Sequence, residues 1–177
     1  MSRPRPFRSL LSVALVASCA LVACSASDDP PPASSSTDVV LEGDASEAQL
    51  NAFQSEEPRE WAWAGGQFDA PDKNATLNAG TTQTFAWHAD PADFAQGGAA
   101  GEIVMTHLLQ FSAPSNDHLL EVFTTLGEYT PDATHWQKLV DAREPIKVSL
   151  TTGTFVGTDL PEDGGPFIGQ ALTFTIE

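Results

Sequence analysis

Four histidines, His88, His107, His118 and His135, fall within one stretch of the chain, and neutral imidazole is a common ligand for transition metals. His107 and His118 flank the turn residues Pro114-Ser115-Asn116-Asp117, so a hairpin there would carry them on neighbouring strands. Their spacings match no metal-binding pattern. His107 also stands in an otherwise apolar alternation, where a hydrogen-bonded core histidine is expected, while His88 and His135 read as surface residues. Two further sets present oxygens. Asp72, Asn74, Thr76 and Asn78 alternate along a possible edge strand, and Asp159-Leu160-Pro161-Glu162-Asp163-Gly164-Gly165 forms an acidic loop containing glycine. Ca²⁺ takes six to eight such ligands, but the first set lacks the glycine and closing glutamate of a calcium loop and the second lacks alternating ligands. Both are expected to be solvated turns. No nucleophile elbow, phosphate loop, dinucleotide fingerprint or paired-histidine zinc motif occurs. The expectation is therefore a protein without catalytic, cofactor-binding or metal-binding residues.

One residue does carry a definite chemistry. Arg3, Arg5 and Arg8 make a basic start, and residues 10–23 carry no charge and are dominated by Leu and Val. A basic segment before an apolar run of this length has the form of a secretory signal. The run is too short for a comfortable membrane span, which needs roughly 20 apolar residues. The segment closes on Leu21-Val22-Ala23-Cys24, which resembles the lipobox of bacterial lipoproteins. The resemblance covers the first two dozen residues and implies cleavage before Cys24, a diacylglyceryl thioether on its sulfur and acylation of the new amino group. Two or three acyl chains hold a protein stably where one does not, since each buried methylene contributes about 0.8 kcal/mol. Ser25 after the cysteine implies the outer membrane, on its periplasmic or its external face. The alternative is an ordinary cut near Ala26 that releases a soluble protein.

Cysteine usage fits the anchor. Cys19 lies in the segment to be removed, leaving Cys24 as the one thiol of an exported chain. It has no intramolecular disulfide partner, so the folded part must be stable without covalent staples.

The whole chain has a net charge of −16; removing residues 1–23 takes three of eight basic residues and none of the 24 acidic ones, leaving about −19. Such a chain is not expected to bind nucleic acid or an anionic lipid surface through basic patches. Residues 24–58 are rich in Ser, Pro, Ala and acids and are expected to form a disordered tether, with no more than a short helical turn between Ala45 and Phe53. Residues 59–177 have the length and apolar content of one domain.

The elements of that domain follow from periodicity. Alternation of period two runs through Ile103 to Phe111, His118 to Thr125, Ile146 to Thr151 and Leu172 to Ile176, with earlier strands expected at Trp61 to Phe68, around Thr76-Leu77, and at Thr82 to His88. Turn residues separate them at Asp90-Pro91, Gly97-Gly98 and Pro161 to Pro166. One helix is expected between Pro131 and Ala142, with Thr130 as N-cap and Ala133, Trp136, Leu139 and Val140 on one face. Core packing is expected for Trp87 and Trp136, whereas Trp61 and Trp63 are candidates for a binding surface. Six to eight short strands with polar turns predict a mainly β, antiparallel two-sheet sandwich with one short helix. The pattern resembles an immunoglobulin or fibronectin type III module, without the Cys-Trp-Cys signature of the former. Together these expectations describe a lipid-anchored envelope protein whose β-domain binds an envelope protein or a glycan. Metal or carbohydrate binding, or a small hydrolase, is the alternative.

Overall fold

The computed structural model describes residues 38–60, 65–89 and 103–177. The signal segment, Cys24, the first half of the expected tether, Trp61, Trp63 and the turns at Asp90-Pro91 and Gly97-Gly98 lie outside these residues.

The centre of the molecule is a pair of long antiparallel strands, β6 (Ile103–Ala113) and β9 (Ile146–Val156). They stay in register from Ile103 opposite Val156 to Ser112 opposite Lys147. β7 (Asn116–Thr124) pairs antiparallel with β6, and β10 (Phe167–Ile176) pairs antiparallel with β9. Around this centre the large sheet runs β1-β7-β6-β9-β10-β2, where β1 is Asp38–Glu42 and β2 is Arg59–Glu60. β4 (Thr76–Leu77) also pairs with β10. A second sheet of three strands is ordered β3 (Gln67–Ala70), β5 (Phe85–His88), β8 (Glu128–Tyr129). Of the expected strands, those at Ile103 to Phe111, His118 to Thr125, Ile146 to Thr151, Leu172 to Ile176 and Thr76-Leu77 are present, and Thr82 to His88 is strand only from Phe85. The one expected over Trp61 to Phe68 lies partly outside the described residues, with β3 beginning at Gln67. The expectation of a wholly antiparallel arrangement is corrected at the edges, because β1 on β7, β2 on β10 and β4 on β10 are all parallel.

The inner face of the large sheet carries Leu109, Phe111, Leu120, Val122, Val148, Leu150, Leu172 and Phe174. They form one cluster with Phe85, Trp87 and Tyr129 of the small sheet and Trp136 and Leu139 of α2 (Ala133–Ala142). Phe85 meets Phe111 and Phe174 with ring centroids at 5.1 and 5.3 Å, within the range that favours edge and tilted aromatic contacts. α2 lies where the sequence placed it, but its N-cap is Asp132, whose side chain accepts from the His135 backbone N–H.

The larger correction concerns residues 38–58, expected to be tether. In the structure this stretch supplies β1 and a second helix, α1 (Glu47–Ser55). α1 is fixed at its start by a capping box, in which Ser46 Oγ accepts from Gln49 N and Gln49 Oε1 accepts from Ser46 N. Leu50 and Phe53, three residues apart, face the outer side of the large sheet and join Leu108, Phe123 and Phe155 in a second apolar cluster. Phe53 is only 2 % exposed, packs edge-on to Phe123 and stacks near Phe155. It lies over Gly153: a Cβ there would come within 2.6 Å of Phe53 Cε2, so the missing side chain on β9 is what admits the ring. Polar contacts complete the docking. Gln49 Nε2 donates to the Gly157 carbonyl, and Gln54 Nε2 and Gln110 Nε2 both donate to the buried Glu121 carboxylate. Among the described residues there are therefore two helices rather than one, and every described residue belongs to one compact unit, Ser35–Glu177.

A core role for α1 has a measurable consequence. Phe53→Ala should lower unfolding free energy by about 3–5 kcal/mol, the usual cost of emptying a buried aromatic site. Urea denaturation followed by far-ultraviolet circular dichroism reads this directly, and a residue of a free tether would leave the midpoint unmoved.

Candidate functional site

Paired strand residues point to the same side of a sheet, so the register lays out the inner face row by row. One row is Leu120, Phe111, Val148 and Leu172; the next is Val40, Val122, Leu109 and Leu150. Both are apolar across the four central strands; on β1 the first row ends at Asp38, opposite Leu120, and the Asp38 carboxylate pairs with Lys138 at 2.8 Å. The third row breaks the pattern: Glu42 stands opposite Thr124, Thr124 opposite His107, His107 opposite Thr152, Thr152 opposite Phe167, and Phe167 opposite Arg59. A line of polar groups thus crosses the buried face, with a carboxylate at one edge of the sheet and a guanidinium at the other. The Arg59 guanidinium stacks over the Phe167 ring at 5.2 Å and donates from Nη2 to the Glu162 and Gly165 carbonyls.

The middle of the row is closed to solvent. His107 is 5 % exposed, Trp87 is 4 % exposed, and Thr124 and Thr152 are fully buried. The His107 and Trp87 rings meet edge to face at 5.5 Å, joining the large sheet to the small one. His107 Nδ1, Trp87 Nε1 and, one pair further along β9, Thr154 Oγ1 have no hydrogen-bond partner. Buried polar atoms of this kind are few in native proteins, and each costs roughly 1–3 kcal/mol. Burial also pushes the His107 imidazole down to about 4, because the charged ring would lose its hydration without gaining a partner. Glu42 at the end of the row is held above the usual carboxylate range by its own burial. The expectation of a hydrogen-bonded core histidine is half right: His107 is in the core, and its Nδ1 is unpaired.

The other residues singled out in the sequence are dispersed. His118 lies at the far end of the β6–β7 hairpin from His107, exposed, with Nδ1 3.6 Å from Glu121 Oε1, so the two imidazoles do not meet. His88 is paired with Asp69 at 2.8 Å on the surface, and His135 with Asp132 at 3.1 Å at the start of α2. Asp72 and Asn74 occupy a turn, and Asn78 spends its side-chain oxygen on the Gly80 N–H. The Trp136 indole donates to the Ala79 carbonyl in the core. Among the described residues, no group of three or more His, Cys, Asp or Glu is placed to hold a metal ion.

The acidic loop does line a concave feature. A cavity of about 480 Å³ lies between the end of α1 and the β9–β10 connection, bounded by Glu56, Glu57, Pro58, Arg59, Leu160 and Glu162 among others. The cation among its described lining residues, Arg59, is already engaged by carbonyls. Sequence reasoning missed this wall because Glu56 and Glu57 had been placed in the tether.

No family model matches the chain, and no curated protein or solved structure matches it.

An unpaired buried imidazole makes a clear energetic prediction. Replacing a buried nitrogen that makes no hydrogen bond by an apolar group of similar size removes its desolvation cost and can be neutral or stabilising. At pH 7.5, His107→Leu should unfold at the same urea concentration as the parent or a higher one, by up to about 1 kcal/mol. A loss of several kcal/mol would show instead that His107 makes a stabilising polar contact.

Proposed function

We propose that the chain is a lipid-anchored protein of the outer membrane, facing either the periplasm or the exterior. Its Cys24 carries the lipid and its β-domain binds an envelope protein or glycan without catalysis. The observation that carries the reading is Leu21-Val22-Ala23-Cys24 closing an uncharged apolar run behind three arginines, with Cys24 the last cysteine of the chain.

The start of the fold supports and sharpens it. Only thirteen residues separate Cys24 from Asp38, the first residue of β1. Fully extended, that segment spans roughly 45 Å at about 3.3–3.6 Å per residue, so the domain would work close to the bilayer rather than at the end of a long stalk. Among the described residues no helix is long and apolar enough to cross a membrane.

The domain is proposed to be a two-layer sandwich of the immunoglobulin or fibronectin type III kind. In favour stands the shared core, where Phe85, Trp87 and Tyr129 of the small sheet pack with Phe111, Leu109 and Phe174 of the large one. The parallel edge pairings are a departure from that pattern. A binding rather than catalytic role is supported by where reactive side chains lie. The described histidines are buried without a carboxylate partner or paired on the surface, and the cavity wall offers carboxylates, prolines and a carbonyl-bound arginine.

Intact-mass analysis of protein extracted from bacterial membranes tests the anchor. The expected result is a chain starting at Cys24 with added acyl mass, and loss of that mass together with release or mis-sorting in Cys24→Ala. An unmodified chain starting near Ala26, identical in the variant, would overturn the reading.

A further inference from the structure

The polar row places an ionisable ring at the seam between the two sheets, and among the described residues its neighbours across the strands and the seam are neutral. β5 contributes Trp87, β7 contributes Thr124 and β9 contributes Thr152. The nearest charged groups on the same face stand at its ends: Glu42 two strands away on β1, and Arg59 three strands away on β2, beyond Phe167. On the small sheet Asp69, His88 and Glu128 face solvent, with Asp69 and His88 paired to each other. A proton on His107 would therefore be taken up in an apolar seam with no counter-charge in contact among the described residues.

We propose that His107 is an acid-sensitive latch between the two sheets, and that its protonation releases the three-stranded sheet from the seven-stranded one. The choice of moving part follows from the pairing. β6 and β9 hold each other along ten registered pairs, whereas β3, β5 and β8 are four, four and two residues long. Opening free energies vary across a structure, and short elements with few partners open first. Parting at Trp87 gives the imidazolium access to water while leaving the long ladder whole, and exposes Phe85 and Trp87 as an apolar surface that is covered at neutral pH.

The sign is fixed by the direction of the shift. Burial lowers the His107 pKa from its ordinary 6.5 to about 4, so the closed form binds fewer protons than the open one throughout that interval. Stability of the closed form is complete above pH 6.5 and is lost as pH falls through the interval. Each pH unit can multiply the open population by up to tenfold, giving roughly a hundredfold between pH 6.5 and pH 4.5. One group acts in the opposite sense: Glu42, its carboxyl raised by burial, takes up a proton more readily when folded.

Amide hydrogen exchange, corrected for the intrinsic rate at each pH, tests the latch at pH 7.5 and 4.5 on the parent, His107→Leu and His107→Phe. The expected result is a fall in protection of roughly a hundredfold in β3, β5 and β8, with β6 and β9 retained, and a rise in binding of an apolar dye. At least one of the two variants should fold and show no such fall. Uniform loss across both sheets, an unchanged small sheet in the parent, or the same fall in the variants would each overturn the proposal.

Discussion

The β6–β9 ladder has to be covered on both faces, and the rest of the molecule answers to that requirement. Leu109, Phe111, Val148 and Leu150 line one side, while Leu108 and Phe155 line the other, all buried. Two eleven-residue strands with apolar residues on both faces cannot stand as a half-exposed sheet. The inner face is closed by the small sheet and α2. The outer face is closed over part of its length by α1, and Gly153 makes room for the Phe53 ring there. β7, β1 and β10 then extend the sheet sideways, and β2 and β4 occupy the two ends of the outer edge of β10. That arrangement leaves little of the β10 edge open to association with another strand.

The sequence made the inner face readable and concealed the outer one. Alternation at Ile103 to Phe111 and at Ile146 to Leu150 marks a strand with one buried side, and the structure has it. Leu108 and Phe155 fall on the opposite parity, and a partner for them had to come from a segment rich in Ala, Gln, Ser and acids. The signals for α1 were nonetheless present. Ser46-Glu47-Ala48-Gln49 has the spacing of a capping box, and Leu50 and Phe53 are one helical turn apart. They were outweighed by the composition of the preceding Ser-Pro tract, a property averaged over a window rather than of these residues. β1 was hidden for a different reason: Val39-Val40-Leu41 is too short to show a period, and only its pairing with β7 makes it a strand.

The polar row lay beyond the reach of sequence because it is built by register. Glu42, Thr124, His107, Thr152, Phe167 and Arg59 come from six strands, and nothing in their spacing links them. His107 could be recognised as an odd residue on an apolar face; that its neighbours would be two threonines and an indole with an unpaired N–H could not. A row of leucines or valines in its place would pack without orphaned atoms. The fold retains a costly group at the seam between its layers, on the sheet whose first strand begins fourteen residues after Cys24. The short connection also changes what a lipid anchor would do, since it would hold the domain near the membrane and limit the partners within reach.

The account stands on residues 38–58 being part of the domain and not a linker in front of it. The most direct measurement compares two chains, one beginning at Ser35 and one at Arg59, by urea unfolding with tryptophan fluorescence and near-ultraviolet circular dichroism. The account predicts a single cooperative transition for the longer chain. The shorter one should show none, because the loss of β1 and α1 strips one edge and the apolar outer face of the large sheet. Equal, cooperative unfolding of both chains would contradict it and return residues 38–58 to the role of tether.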